Sequence, residues 1–308
     1  MTKKDTMKLY TYGSLILFLG LVLFFGQSGS RGATGFIPVI SFNGEDVREI
    51  TFSGVDHPGV YLSQEDKQWV IFREGETFTA RSSRVEDFLR ILGDLSPIRI
   101  ASNSGSRPEF GLEDRAIGVT LVLESGVEHT YLFGNPTALG NEYFFQIAGS
   151  PIVQVVSGQV GFYLNQTATY WTDLRFWPEG FLRENILSMR LEGFDSPVRE
   201  FQRDSDISGR TIWRSIHNNG EVDDRAAALI NTIGSMEFFT RISVQDFSRL
   251  RGPDAVPYGI ITLRSVGGVQ SIVEFYAQDN DFAVQVITPG SQPLTGIVQT
   301  WRVEGFIE

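Results

Sequence analysis

Short runs of alternating apolar and polar residues fill most of the chain after residue 46. Twice they are broken by a single stretch with helical spacing. Ile50-Thr-Phe52, Gly59-Val-Tyr-Leu62 and Gln68-Trp-Val-Ile-Phe72 read as strands, and the polar turn 64–67 joins the last two as a hairpin. Val85, Phe88, Leu89 and Leu92 then recur at i, i+3, i+4 and i+7, which predicts a helix over Ser83–Gly93. Ser82 or Ser83 is placed to cap its start and Gly93 to end it. Strands follow at Ile117–Leu123, His129–Phe133 and Tyr143–Ile147, with Ser125-Gly126 as the turn between the first two.

The same order recurs in the second half. Ser188–Leu191, Val198–Gln202 and Thr211–Ile216 precede a helix at Asp223–Gly234, expected to turn Ala227, Ile230 and Ile233 inward. Strands at Gly259–Leu263, Ser271–Tyr276 and Phe282–Val286 come next, with Gly267-Gly268 matching Ser125-Gly126. Gly93 and Gly234 are 141 positions apart, Arg99-Ile100 and Arg241-Ile242 are 142 apart, and Trp69 and Trp213 are 144 apart. A near-constant offset over so many elements implies internal duplication. One main helix per set of strands implies an α+β fold, with the helix packed on one face of an antiparallel sheet.

A different pattern precedes these repeats. Residues 9–30 carry no charge and stand directly behind Lys3, Lys4 and Lys8. About twenty apolar residues match a hydrocarbon core of roughly 30 Å, and lysines hold the adjoining end in the cytoplasm. A cleaved signal peptide is the competing reading, with Gly26–Ser30 as the small-residue region. Both readings export the body, and a retained anchor is the expectation. The chain then divides into a cytoplasmic tail (1–8), a transmembrane anchor (9–27), a linker (28–46), a first α+β repeat (47–180) and a second (181–308).

Composition narrows the chemistry. The chain has 308 residues, no cysteine and a formal net charge of −11. Thiol catalysis, zinc–thiolate sites, disulfides and a lipoprotein acyl anchor are therefore excluded. Setting aside the three lysines and Asp5 of the tail leaves −13 on the body, which disfavours nucleic acid and anionic lipid as partners.

Several motifs resemble a known family. They are the tryptophan-bearing strand pair, the helix followed by Leu95-Ser-Pro-Ile-Arg99, and Glu109-Phe-Gly-Leu112. Further along come a Val-Thr-Leu strand, Gly134, Tyr143-Phe-Phe-Gln-Ile147 and Tyr170-Trp-Thr-Asp-Leu-Arg175. Together they resemble domain-of-unknown-function family 4340, most closely over residues 45–180 and more loosely beyond. Asp114-Arg-Ala116 departs from the family, in which a proline often follows Phe-Gly-Leu. The resemblance implies one N-terminal membrane helix, an extracytoplasmic body, and a role as auxiliary subunit of a gliding-motility-type ABC transporter. It carries over no catalytic residue.

A search for catalytic signatures finds no phosphate loop, no Gly-x-Gly-x-x-Gly and no nucleophile elbow. His57, His129 and His217 have no ligand spacing. Asp204-Ser-Asp-Ile-Ser-Gly209 resembles half a calcium loop, but its twelfth position would be Ser215, so a polar hairpin turn is the reading. Glu65-Asp66, Glu113-Asp114 and Asp223-Asp224 read as turn or helix-start charges. No catalytic, cofactor-binding or metal-ligating residue is therefore assigned. The aromatic cluster Tyr170, Trp171, Phe176 and Trp177 at the join of the halves reads either as inter-domain core or as a partner-docking surface. It is the candidate site.

The expectation is a non-enzymatic, membrane-anchored accessory or scaffold subunit with integral-membrane or transporter partners. The alternatives are an extracytoplasmic binding module for a glycan, peptide or envelope component, and a carboxylate-based envelope hydrolase.

Overall fold

The computed structural model describes residues 42–55, 57–73, 75–105, 107–177 and 183–307. The predicted tail and anchor at 1–27, and residues 28–41 of the linker, lie outside the described residues, which are those meant from here on. Among those residues no helix is long and apolar enough to cross a membrane.

The fold is α+β, built on two antiparallel sheets. The first contains β1 (Val47–Ser53), β2 (Val60–Glu65), β3 (Gln68–Arg73), β4 (Glu76–Thr79), β5 (Pro97–Ser102), β6 (Ile117–Leu123), β7 (Glu128–Pro136), β8 (Glu142–Ile147) and β9 (Val153–Ser157). Their spatial order is β4-β3-β2-β1-β6-β7-β8-β9-β5. The second contains β10 (Ile186–Gly193), β11 (Ser196–Ser205), β12 (Thr211–Ser215), β13 (Thr240–Arg241), β14 (Gly259–Ser265), β15 (Gln270–Ala277), β16 (Asp281–Ile287) and β17 (Leu294–Gln299). Their order is β12-β11-β10-β14-β15-β16-β17-β13. Apart from β4, the sheets correspond strand for strand.

The correspondence reaches single residues. The pairing of β1 with β6 slips between Val47 and Glu49, and that of β10 with β14 slips between Ile186 and Ser188. Ile50 faces Leu121 in one sheet and Met189 faces Leu263 in the other, and all four side chains are buried. Trp69 and Trp213 are both buried, and each gives its carbonyl to the residue leading into the following helix. Ala80 N donates to Trp69 O, and Asp223 N to Trp213 O, each at 2.8 Å.

Helix α1 (Ser82–Gly93) buries Val85, Phe88, Leu89 and Leu92, as the spacing predicts. Its N-cap is Arg81, which makes no side-chain cap, so the expected serine caps are corrected. Arg81 N instead donates to Trp171 O at 2.8 Å. After two one-turn helices, α2 (Gly161–Leu164) and α3 (Ala168–Trp171), the second sheet carries α4 (Asp224–Gly234). The Asp223 side chain caps α4, accepting from Arg225 N and Ala226 N. This start sets the phase of the helix. Ala226, Leu229, Ile230 and Ile233 are buried, whereas Ala227, expected inward, is exposed. All four buried positions lie 141 after their counterparts in α1.

The helices and the inward strand residues form two separate cores. One holds Ile50, Phe52, Leu62, Phe88 and Trp171, and the other holds Met189, Ile230, Phe275 and Phe306. Alternation sends the neighbouring strand residues to the opposite face. There Phe110, Leu112 and Val153 cluster on the first sheet, and Phe247, Tyr276 and Ala283 on the second. Phe247 belongs to α5 (Val244–Arg251), which the strand pattern did not predict. A helix-start signature is nonetheless present: Ser243 Oγ accepts from Asp246 N at 2.9 Å.

Tyr131, on β7, is 2% exposed, and burial pushes its phenol from 10 up to about 12. The folded chain therefore keeps this proton where the unfolded chain loses it. The resulting stability is complete below pH 10 and is lost as the pH rises toward 12, by roughly 3 kcal/mol at most. Urea midpoints measured between pH 9 and about 12 should fall, and Tyr131→Phe should flatten that fall. An unchanged slope in the variant would assign the alkaline loss to other groups.

Candidate functional site

Three of the four aromatics at the join are buried. Trp171 and Phe176 are 0% exposed and Trp177 is 4% exposed, while Tyr170 is half-buried. The docking-surface expectation is corrected for Trp171, Phe176 and Trp177, because each large ring gains more from a core than from solvent. Trp171 enters the first core, with ring centroids 5.3 Å from Phe52 and 5.8 Å from Phe88. Phe176 and Trp177 enter the second, where Phe176 lies 4.5 Å from Phe238 and Trp177 Nε1 donates to Ile233 O at 2.8 Å. Arg84 covers the Tyr170 ring at 4.4 Å.

Between these anchors, residues 172–177 form a strap stitched to both sheets. Thr172 bridges Ala80, and Asp173 N donates to Thr79 O at 2.8 Å. Arg175 bridges Glu237, Phe238 N donates to Leu174 O at 2.7 Å, and Phe176 N donates to Met236 O at 3.1 Å. Direct contacts reinforce the strap. Arg81 Nη1 pairs with Glu237 Oε1 at 3.2 Å, and Arg73 donates to the carbonyl of Arg241.

Beside the strap, the halves leave a cleft of about 370 Å³. Thr77, Thr79 and Ser82 stand on one wall, and Thr288, Ser291 and Gln292 on the other. Its lining charges are Asp173, Arg175 and Arg241. Asp173 is 8% exposed and holds Arg175 through two bonds, Nε to Oδ1 at 2.8 Å and Nη2 to Oδ2 at 2.7 Å. Arg241, at the end of short β13, is 7% exposed. Its Nε donates to Thr295 O at 3.0 Å and its Nη1 to Asp173 O at 3.4 Å. The guanidinium lies 5.4 Å from the Phe238 ring centroid and 5.9 Å from that of Phe78, while Arg73 approaches Phe78 at 4.7 Å. Phe78 is thus in cation–π reach of one arginine from each half.

Burial lowers the Arg241 guanidinium to about 10, Asp173 opposes that shift, and Arg73 adds to it. It remains a cation at neutral pH. The arrangement can neutralise and orient a negatively charged group. Arg241 drew attention in the sequence only as a register mark, and Asp173 only as part of a family motif. Nothing local in either segment signals a cleft, because their convergence depends on how the two sheets meet.

The other sequence candidates stay apart. His57 lies between β1 and β2, His129 on β7 and His217 beyond β12. Asp206 closes the β11–β12 hairpin by accepting from Ser208 N at 2.8 Å and Arg210 N at 2.9 Å. The Ser208 hydroxyl, donating to Oδ1 at 2.6 Å, is the first cause that holds its carboxyl below the usual range, and those backbone bonds add to it. Among the described residues no group of three His, Cys, Asp or Glu could hold a metal ion.

Residues 69–238 match the profile of the family described as Domain of unknown function (DUF4340). The chain belongs to the DUF4340 family. The match begins at Trp69 of β3, takes in the whole strap and ends at Phe238, beside β13. It therefore runs from one core into the other, further than the residues that carried the resemblance in the sequence. No curated protein and no solved structure matches the chain. Within this DUF4340 protein the strap aromatics are core anchors, and the cleft beside them is the candidate site.

Proposed function

We propose that this DUF4340 protein is a non-enzymatic accessory subunit of a membrane complex, linked to an ABC transporter. Residues 9–27 hold it at the membrane, and its body lies outside the cytoplasm. The strap is the observation that carries this reading. It ties two sheets that match strand for strand apart from β4, through hydrogen bonds to the end of β4 on one side and to residues 236–238, which lead into β13, on the other, as suits a scaffold that must hold its shape. The uncharged stretch behind three lysines supports the topology, and the family resemblance supports the transporter link. We also infer that the halves, 47–180 and 181–308, arose by duplication. The matching strand order, the matching slip beside Val47 and Ile186, and the offset of 141 between the helices support it.

The test is purification of the tagged full chain from its own membranes in mild detergent. A permease and its ATPase are the expected companions, and protease added to intact spheroplasts should digest the body. A body protected in spheroplasts, or a chain that emerges without transporter subunits, would count against the reading. The cleft favours a second role compatible with the first, an extracytoplasmic binding module. It is concave, bounded by hydroxyl and amide side chains, and has one buried cation.

A further inference from the structure

Arg241 is compensated only in part: Asp173 acts on it from a distance and two backbone carbonyls accept from it. Its guanidinium is almost wholly buried, yet among the described residues no carboxylate lies within ion-pair distance of it. The nearest acid of the cleft, Asp173, is engaged by Arg175. Arg73 brings a second cation to the same phenylalanine ring. A buried charge without a direct ion-pair partner is costly, and this cost falls in a cleft rather than in a sealed core. Arginine offers five N–H donors, of which the backbone carbonyls of Thr295 and Asp173 take two. The remaining donors can receive an oxyanion in fork geometry.

We propose that the cleft binds a hydroxylated carboxylate monoanion, of the sugar-acid class, with its carboxylate on Arg241. Three observations select this class. Asp173 and Arg175 pair with each other, so among the described charged groups of the lining Arg241 is the one with no carboxylate at ion-pair distance, and a single carboxylate suffices to balance it; Arg73 lies over the Phe78 ring and is not one of the lining residues. Hydroxyl and amide side chains on both walls, from Thr77 to Gln292, suit a ligand with several hydroxyls. Phe78, Val286 and Leu294 supply apolar lining for the C–H face of a ring. The volume of about 370 Å³ restricts the ligand to a compact molecule. This inference rests on the binding-module reading of the cleft and is independent of any transporter partner.

The test uses the full chain in detergent, titrated by calorimetry with sodium glucuronate, glucose, sodium acetate, alanyl-alanine and inorganic phosphate at constant ionic strength. Glucuronate should bind saturably, with glucose and acetate each weaker by about tenfold or more. Arg241→Gln should abolish the heat. Gln292→Ala and Ser291→Ala, both in the exposed turn before β17, should weaken binding while circular dichroism stays unchanged, so the test stands even if Arg241→Gln fails to fold. Phosphate binding as tightly as glucuronate would overturn the monoanion assignment. Saturable binding of alanyl-alanine alone would overturn the sugar-acid class and leave the binding module standing. Heats absent for every probe, or unaltered in all three folded variants, would remove both.

Discussion

Trp171→Ala is expected to destabilise the protein by about 3–5 kcal/mol, a large share of the 5–15 kcal/mol typical of a whole domain. The indole is 0% exposed and touches four other rings, with centroids 5.3 Å away for Phe52, 5.8 Å for Phe88, 5.9 Å for Tyr163 and 5.2 Å for Tyr170. Removing it leaves a void at the point where α1, β1 and the strap meet. Its carbonyl also accepts from Arg81 N, so the backbone that starts α1 is tied to the same residue. Urea unfolding should show a lower midpoint at similar slope, and hydrogen exchange should quicken first in β1–β9. A loss below about 1 kcal/mol would mean that the ring is not a core anchor. The result also governs how partner experiments are read. A Trp171→Ala chain that loses a membrane partner has lost its first core, so the loss says nothing of a docking contact.

The fold was largely legible because its two periodicities are local. The i, i+3, i+4, i+7 set of α1 and the alternation in β1, β3, β6 and β15 announce themselves within a few residues. The repeat was legible for the same reason, although reading Ala227 as inward concealed a four-residue match between α1 and α4. β4, β5, β9, β13 and β17 are not among the predicted strands, being short or lying outside the two repeated runs that the pattern marks. β5 starts at Pro97 and leaves Ile98 and Ile100 exposed at an edge, and β13 is two residues long. The site was legible in place but not in character. The sequence located the join, yet an aromatic there can face either way, and burial is decided by the sheets on both sides. Arg241 and Asp173 lie 68 positions apart and meet only through the strap.

Phe176→Ala should cost a comparable amount, about 3–5 kcal/mol, but from the other side. Phe176 is fully buried in the second core, 4.5 Å from Phe238, and its N–H holds Met236 O at 3.1 Å. Exchange should therefore quicken in β10–β17 and α4 while β1–β9 keep their protection. Phe176 stands five positions after Trp171, but the two rings belong to different clusters. Their losses should accordingly add within about 0.5 kcal/mol in the double variant. An interaction term above about 1 kcal/mol would mean that the strap transmits packing between the cores and that the halves are one cooperative unit. Phe176 also lines the cleft, so its replacement enlarges the space beside Arg241 without removing the cation. A folded Phe176→Ala chain should still bind glucuronate, but more weakly than the intact chain. Unaltered affinity would place the ligand against the outer wall formed by Thr288, Ser291 and Gln292, away from the strap.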